Sequence, residues 1–165
     1  SDKTVNEIVK AASEMSRAKT GALIVIEQNV RLDEYERTGI VIDSVLTSQI
    51  LINIFEHNTP LHDGAVIVRG NRITAATCYL PLSDNMLLSK ELGTRHRAGV
   101  GISEVTDSLT VIVSEETGAI SVAYKGELMR KLTAEELKKL LVMAQNKTAA
   151  QKKFRLWKGW NKNEI

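Results

Sequence analysis

Cysteine, proline and aromatic residues are all scarce in this sequence of 165 residues, which has one cysteine, two prolines and 4% aromatic residues. With no second cysteine to pair with, Cys78 cannot form an intramolecular disulfide, and its place in an apolar run indicates a core residue in a reducing compartment. No run of about eighteen apolar residues and no signal peptide is visible, so we expect this chain to be soluble. It begins Ser1-Asp2-Lys3 without methionine, as a fragment of a longer protein would.

The net charge is small as well, only +2 at neutral pH. A protein whose whole surface binds nucleic acid would carry a larger positive charge, so no nucleic-acid partner is expected. The charge is nevertheless uneven, because residues 147–165 contain six lysines and arginines, Trp157 and Trp160, and a single acid, Glu164. This basic C-terminal tail is either a solvated end of the chain or a segment that contacts phosphates or anionic lipid headgroups.

Two glycine-rich signatures of nucleotide binding are also absent. Neither a Walker-type loop nor a GxGxxG sequence occurs in the chain. Both signatures mark a loop whose backbone N–H groups surround phosphates at the start of a helix. A nucleotide bound to this protein must therefore be held by other residues.

The first third of the chain alternates helical and strand-like patterns. Apolar residues at helical spacing predict a helix over residues 4–19, with Gly21 as its C-cap. Residues 22–26 are a continuous apolar run rich in β-branched residues, which predicts a strand covered on both faces. The polar residues 27–39 predict a loop, and residues 44–56 predict a second helix.

Two β-hairpins are predicted further along the chain. Residues 65–69 and 72–80 are strand-like and are separated by a Gly-Asn pair, which tolerates the positive φ of a tight turn. Residues 109–114 and 119–124 form a second pair of strand-like runs. Hairpins mixed with helical crossovers predict a mixed sheet rather than a strictly parallel one.

Two more helices complete the predicted order. Residues 87–105 have a helical pattern weakened by three glycines, each of which costs about 1 kcal/mol relative to alanine. Glycines in such a pattern usually mean that something packs or binds closely there. Thr133 and Glu136 form the capping box of a last helix.

The predicted fold class is α/β of an α+β-like kind, with a central mixed parallel and antiparallel sheet and helices packed around it. Residues 1–165 are within the usual size of one domain, so a single domain is predicted. Within it, residues 1–20 carry the N-terminal helix and residues 147–165 carry the basic tail.

The first of three polar clusters lies immediately before the strand predicted at residues 65–69. His62 and Asp63 offer nitrogen and oxygen ligands to a divalent metal. Gly64 and Ala65 lack bulk, so a ligand can approach the backbone there. An Asp-Gly pair is most often only a turn, and that interpretation stays open from the residues alone.

The second cluster consists of Gly93, Thr94, Arg95, His96 and Arg97. Arginine side chains match phosphate oxygens bidentately, a threonine hydroxyl adds a donor, and glycine lets a phosphate chain approach the backbone. A charged triplet on a helix is otherwise a solvated face. The flanking glycines and the threonine favour an anion-binding patch.

The third cluster is Ser114, Glu115 and Glu116 at the end of a predicted strand. Two acids in a hairpin loop are commonly plain surface, but carboxylates also complete magnesium or manganese sites because those cations prefer oxygen ligands. Together the three clusters offer cations for a triphosphate, acids for a metal and small residues where a nucleotide lies. These are the components that phosphoryl transfer requires.

The chain resembles the diadenylate cyclase family, whose signatures are a DGA motif followed by an RHR motif. Residues 63–65 read Asp-Gly-Ala and residues 95–97 read Arg-His-Arg, in the family order. Similarity to the family pattern extends over residues 22–144. Gly99 departs from it, since many relatives have alanine at that position, and this departure should leave the chemistry unchanged.

The resemblance implies that Asp63 with His62 holds the catalytic metal, Mn²⁺ or Mg²⁺ with Co²⁺ also suitable, and helps activate a ribose 3′-hydroxyl. Glu115 is implied as a metal or ribose contact. The implied catalytic residues are Asp63, Arg95, His96 and Arg97. The residues implied to bind ATP are Gly64, Ala65, Tyr79, Leu80, Gly93, Thr94, Arg95, His96, Arg97, Ser114 and Glu115.

The implied activity is the condensation of two ATP molecules into cyclic di-AMP with release of two pyrophosphates. Each chain offers one triphosphate site, whereas ring closure needs two in-line attacks, so two domains must meet face to face, most simply around a two-fold axis. One alternative is a module that senses ATP or a cyclic nucleotide without turnover. Another is a nucleic-acid-binding domain that uses the basic tail, and neither alternative explains both motifs.

Among the subtypes of this family, the sequence is most similar to the membrane-anchored form, in which transmembrane helices precede the cyclase domain. This similarity implies attachment to the cytoplasmic face of the cell membrane through helices absent from this chain. It also implies a homodimer and two protein partners, a membrane-bound regulatory protein and phosphoglucosamine mutase, which inhibits the cyclase.

Overall fold

A computed structural model describes residues 1–146, so the predicted basic tail lies outside the described residues. In chain order the helices and strands are α1 (Asp2–Ala18), β1 (Ala22–Ile26), α2 (Asp33–Glu36), β2 (Ile40–Val45), α3 (Ser48–Phe55), β3 (Ala65–Arg69), β4 (Arg72–Cys78), α4 (Thr94–Val105), β5 (Leu109–Val113), β6 (Ile120–Tyr124), β7 (Glu127–Leu132) and α5 (Ala134–Gln145). The strands form one seven-stranded sheet in the order β2-β4-β3-β1-β5-β6-β7.

The centre of the sheet joins a parallel pair of strands to antiparallel neighbours. Strand β1 runs parallel to β3, where Ile24 pairs with Val66, and antiparallel to β5, where Ile24 pairs with Val111. The pairs β2–β4, β3–β4, β5–β6 and β6–β7 are antiparallel. The predicted mixed sheet is therefore confirmed.

Both faces of the sheet are covered, which explains the unbroken apolar run of β1. Ile24 belongs to a core cluster shared with α1, α3 and α5. Leu23 and Val25 belong to a second cluster, on the other face, shared with α4. Because successive side chains of a strand point to opposite faces, a strand between two such layers must be apolar at every position.

The first helix ends earlier than the sequence pattern suggests. The prediction of Gly21 as its C-cap is wrong, because α1 ends at Ala18 and Lys19 adopts the left-handed conformation, with φ 55°. The Lys19 backbone N–H donates to the carbonyls of Met15 and Ser16 and thereby satisfies the end of the helix. The capping box of Thr133 is confirmed.

Both edge strands are missing from the predicted order. Strand β2 occupies Ile40–Val45, so the helix predicted at residues 44–56 begins only at Ser48. In β2 the pairing register shifts and Asp43 has a positive φ, which interrupts the alternation that would reveal a strand. Strand β7 is polar at three of its six positions and buries only Met129 and Leu132.

The glycine-containing helix is shorter than predicted. Residues 87–105 were expected to be helical, but α4 begins at Thr94 with Gly93 as its N-cap, so residues 87–93 precede the helix. The remaining helical glycines lie close to neighbouring elements. A Cβ atom on Gly99 would overlap the Ile112 side chain, and one on Gly101 would overlap the backbone of Pro81.

Within residues 1–146, no helix combines the length and the apolar character needed to cross a bilayer.

Candidate active site

A cleft of about 690 Å³ opens at one end of the central strands, where β1 and β3 begin and β4 and β5 end. Its volume is within the range of small-molecule sites. The cleft gathers residues from all three polar clusters of the sequence. The predicted site residues that line it are Gly64, Tyr79, Leu80, Gly93, Thr94, Arg95, His96, Ser114 and Glu115.

Four predicted site residues do not line this cleft. Ala65 is fully buried in β3, and Arg97 is half-buried while its carbonyl accepts a hydrogen bond from the Ser83 N–H. His62 and Asp63 precede Gly64, which does line the cleft. The Asp63 side chain is 90% exposed, so its carboxylate lies beside the cleft rather than inside it.

His62 and Asp63 form a pair with the chemistry of a metal site. Nε2 of His62 is 3.6 Å from Oδ1 of Asp63. The other ring nitrogen, Nδ1, is 2.6 Å from the Thr59 carbonyl oxygen, to which it must donate because a carbonyl only accepts. In the neutral ring that bond leaves Nε2 unprotonated, the form in which histidine binds a metal.

Gly64 is required by the backbone as well as by the cleft. Its φ is +85°, and a Cβ atom there would lie 2.9 Å from the carbonyl oxygen of Cys78. The Asp-Gly pair thus lies at a bend of the backbone with a positive φ at the glycine, and that glycine is also part of the cleft wall. The two interpretations of this motif are compatible.

The predicted metal set of His62, Asp63 and Glu115 does not come together as one cluster. Among residues 1–146, no three His, Cys, Asp or Glu side chains are arranged to hold a metal ion. Glu115 lies instead in the turn after β5, where Oε1 is 3.8 Å from Nη1 of Arg95. A pair of protein ligands is nevertheless sufficient for Mg²⁺ sites in which substrate phosphates supply further oxygens.

Arg95 extends from the first turn of α4 to the turn between α1 and β1. Its guanidinium lies directly against Gly21, because a Cβ atom on that glycine would overlap Nη1 and Cζ. The Arg95 side chain is 22% exposed and lines the cleft beside Glu115. Gly21 therefore leaves room for the Arg95 guanidinium, and it does not cap the end of α1.

Gly21→Ala is expected to lower kcat/KM for ATP, the substrate that the family resemblance implies, about tenfold, because the added methyl group moves the Arg95 guanidinium from its place in the cleft. The fold should survive, since the overlapping atoms are the end of a flexible side chain. Steady-state kinetics and the melting temperature measure the two effects. Unchanged kinetics in a folded variant would show that the position of Arg95 has no role.

His96 lines the cleft but is largely buried in its wall, with 7% of its surface exposed. Burial lowers the pKa of its imidazole, and the positive charges of Arg130 and Arg95 act in the same direction. The side chain is therefore neutral at pH 7. A neutral imidazole can donate one hydrogen bond and accept another, but it adds no charge toward a phosphate.

The depressed pKa of His96 predicts a loss of stability in mild acid. As pH falls below about 6.5, the unfolded chain binds a proton at this histidine before the folded chain does, so the free energy of unfolding decreases. Urea titrations between pH 7.5 and 5.5 should show this decrease, with a smaller slope in His96→Asn. Equal slopes in the two proteins would show that His96 is not the cause of the pH dependence.

Tyr79 lies on the wall of the cleft and is 75% exposed. Its backbone N–H donates to Oγ1 of Thr38 at 2.8 Å, and the Thr38 hydroxyl donates to the Tyr35 carbonyl at 2.6 Å. Residues 27–39 were predicted to be a loop, but they contain the short helix α2. Nothing in the sequence pattern connects Thr38 with Tyr79.

The Ser114 side chain forms hydrogen bonds within its own turn. Its Oγ accepts hydrogen bonds from the backbone N–H groups of Glu116 and Thr117 at 3.2 and 3.3 Å. This is the local bonding by which serine stabilises a turn. The contact with ATP that the family resemblance implies for Ser114 stays a prediction.

The structure also brings residues to the cleft that the sequence analysis did not select, among them Glu91, Ser121 and Arg130. Arg130 and Ser121 come from β7 and β6. Since β7 was not predicted, no pattern could assign Arg130 to a face of the sheet. Glu91 lies just before α4, in the stretch that was predicted to be helical.

Comparison with known proteins gives consistent matches. Residues 9–128 match the model of the family described as DAC, DisA bacterial checkpoint controller nucleotide-binding. Cyclic di-AMP synthase CdaA of Bacillus subtilis is 58% identical over 139 residues, which are 84% of this chain and 51% of that protein. A diadenylate cyclase of Listeria monocytogenes is 52% identical over 157 residues, 94% of this chain and 58% of that protein.

Solved structures match as well. The crystal structure of a double mutant of DacA from Staphylococcus aureus has a TM-score of 0.83 and 52% identity, and the match covers 84% of this chain and 93% of that chain. A structure titled hypothetical membrane spanning protein from Bacillus cereus has a TM-score of 0.75 and 44% identity, over 78% of this chain and 63% of that one.

The chain spans about half the length of the curated relatives it matches. The family match covers most of the described residues and includes both motifs. It also includes most of the elements that line the cleft. The chain belongs to the DAC family of diadenylate cyclases.

Proposed function

We propose that this chain condenses two ATP molecules into cyclic di-AMP and releases two pyrophosphates. The observation that carries the proposal is the single cleft lined both by Gly64 of the DGA motif and by Arg95 and His96 of the RHR motif. The names of the similar proteins from Bacillus subtilis and Listeria monocytogenes support the same activity.

The residues of the cleft divide into roles by their chemistry. The 3′-oxygen of each nucleotide bonds to the α-phosphorus of the other, and the bond from that phosphorus to pyrophosphate breaks. Asp63 accepts the hydroxyl proton, because its exposed carboxylate stands beside the cleft. Thr94 and Arg95 at the start of α4 bind the triphosphate and stabilise the leaving pyrophosphate.

The pair His62 and Asp63 would hold the divalent metal, Mn²⁺ or Mg²⁺, with Co²⁺ also suitable. Its nitrogen and oxygen ligands fit these ions, and the hydrogen bond from Nδ1 to Thr59 leaves Nε2 of His62, 3.6 Å from Oδ1 of Asp63, as the ring nitrogen that can bind a metal. When bound, the metal neutralises charge that develops on the phosphates. Tyr79 and Leu80, which line the cleft, would form part of the nucleoside pocket.

Two copies of the chain would act together, each contributing one cleft. Several large apolar side chains are exposed within residues 79–87, a stretch of which Tyr79 and Leu82 line the cleft, and this supports a contact with another protein surface. They are Tyr79, Leu82, Met86 and Leu87, with exposures of 75%, 54%, 93% and 94%. A two-fold axis through this surface would bring the two clefts face to face.

The remaining expectations concern the whole protein and stay proposals. They are attachment to the cytoplasmic face of the membrane, a membrane-bound regulatory protein as partner, and inhibition by phosphoglucosamine mutase. None of them is needed for the chemistry of the cleft.

The test is incubation of the chain with ATP and Mn²⁺, followed by chromatography for cyclic di-AMP and pyrophosphate. We expect one cyclic di-AMP for every two pyrophosphates, and loss of both products when a chelator removes the metal. ATP that binds without turnover would instead identify the domain as a sensing module. Absence of both binding and turnover would refute a nucleotide site.

A further inference from the structure

Arg130 is a cation of the cleft that neither the motifs nor the sequence pattern identifies. It lies in β7, the edge strand of the sheet, and lines the same cleft as Thr94 and Arg95. It also lies beyond residues 9–128, the stretch that matches the family. The family match therefore does not assign Arg130 to the site, and only the folded structure places it there.

The alternation of β7 turns Arg130 toward helix α4. Met129 packs into the core cluster on the face of α1, α3 and α5, whereas Leu128 packs against the cluster that contains α4. Arg130 follows Met129 and is accordingly on the side of Leu128. Lys131, with a positive φ of 56°, interrupts the alternation, so that Leu132 returns to the face of Met129.

The two arginines of the cleft differ in their surroundings. Arg95 has Glu115 within 3.8 Å, whereas Arg130 has no carboxylate within 4 Å among residues 1–146. The charge of Arg130 lies near enough to His96 to contribute to its lowered pKa, after the larger effect of burial. A guanidinium that faces a concave site without an acidic partner is suited to bind an anionic ligand.

We infer that Arg130 is a further substrate-binding residue, whose guanidinium binds oxygens of the pyrophosphate part of ATP. This inference rests on the proposed function. Most of the negative charge of the triphosphate is on its β- and γ-phosphates. Arg130 and Arg95 place two positive charges in the cleft near His96, and Thr94 adds a hydroxyl donor. A planar guanidinium presents two parallel N–H donors to two phosphate oxygens, a geometry that the point charge of a lysine ammonium does not offer.

The test compares Arg130→Gln, Arg130→Lys and the control Lys131→Gln, which removes the same charge from the neighbouring position of β7. We expect Arg130→Gln to raise the KM for ATP and the inhibition constant of pyrophosphate by about tenfold to a hundredfold. Arg130→Lys should restore only part of the affinity. Lys131→Gln should stay within about twofold of the wild type.

Binding of pyrophosphate by titration calorimetry separates this inference from the proposed activity. A tenfold weaker affinity in Arg130→Gln supports the inference even if the chain forms no cyclic di-AMP. Cyclic di-AMP formation with an unchanged pyrophosphate affinity in Arg130→Gln would overturn the inference and leave the proposed function intact. No pyrophosphate binding to the wild type, or an equal loss in Lys131→Gln, would overturn it as well.

Discussion

Asp63→Asn is expected to reduce cyclic di-AMP formation about a thousandfold or more while the fold stays intact. The amide is nearly the same size as the carboxylate, but it neither accepts the proton of a ribose hydroxyl nor binds a hard cation well. The Asp63 side chain is 90% exposed, so the substitution leaves the core unchanged. Product chromatography measures the rate, and the melting temperature checks the fold.

Asp43→Asn is the matched control for this variant. Asp43 is also an exposed aspartate, and its surface ion pair with Arg72 contributes little to stability. Its positive φ of 48° is tolerated by asparagine. Near-normal turnover in Asp63→Asn, or an equal loss in Asp43→Asn, would refute the role assigned to the DGA carboxylate.

The sequence predicted well those parts of the fold that are buried on both faces or that are fixed by local hydrogen bonds. Strand β1 is apolar at each position because α4 covers one face of it and α1 the other. The start of α5 was predicted from Thr133, whose side chain and backbone make local hydrogen bonds that need no tertiary context. Such signals are contained within a few neighbouring residues.

The edge strands were missed because no residue of β2 and only two residues of β7 are fully buried. In β2, Ile40, Val41 and Val45 are exposed while the pairing register shifts between Val41 and Ser44, so neither strict alternation nor a continuous apolar run remains. Strand β7 is recognisable only from its pairing with β6. That pairing depends on contacts between strands, which periodicity within one strand does not report.

For the candidate site, residue types could be predicted but their geometry could not. The motifs identified Arg95 and His96, yet nothing in them indicated that the histidine is buried and the arginine packs on Gly21. Glu115 was grouped with the metal ligands on its chemistry, whereas the turn after β5 directs it to Arg95. Long-range contacts of this kind follow from the strand order of the sheet.

The rate of cyclic di-AMP formation per chain is expected to fall about tenfold for each tenfold dilution below the dissociation constant of the dimer. One cleft can hold one triphosphate in position, and closing the ring requires two attacks, so an isolated chain has no productive partner. Rates measured over several decades of protein concentration, at saturating ATP, test this dependence. A rate per chain that is independent of concentration would exclude an assembled site, unless sedimentation shows that the dimer never dissociates.

Mixing wild-type chains with an excess of Asp63→Asn chains tests the same assembly without dilution. With about nine variant chains for each wild-type chain, random pairing leaves roughly one wild-type chain in ten with a wild-type partner. Cyclic di-AMP per wild-type chain should therefore fall about tenfold. A mixed pair retains one intact Asp63, so it can form one bond but not the second, and the linear dinucleotide should accumulate. Undiminished cyclic product, with no linear dinucleotide, would mean that each chain completes the reaction alone.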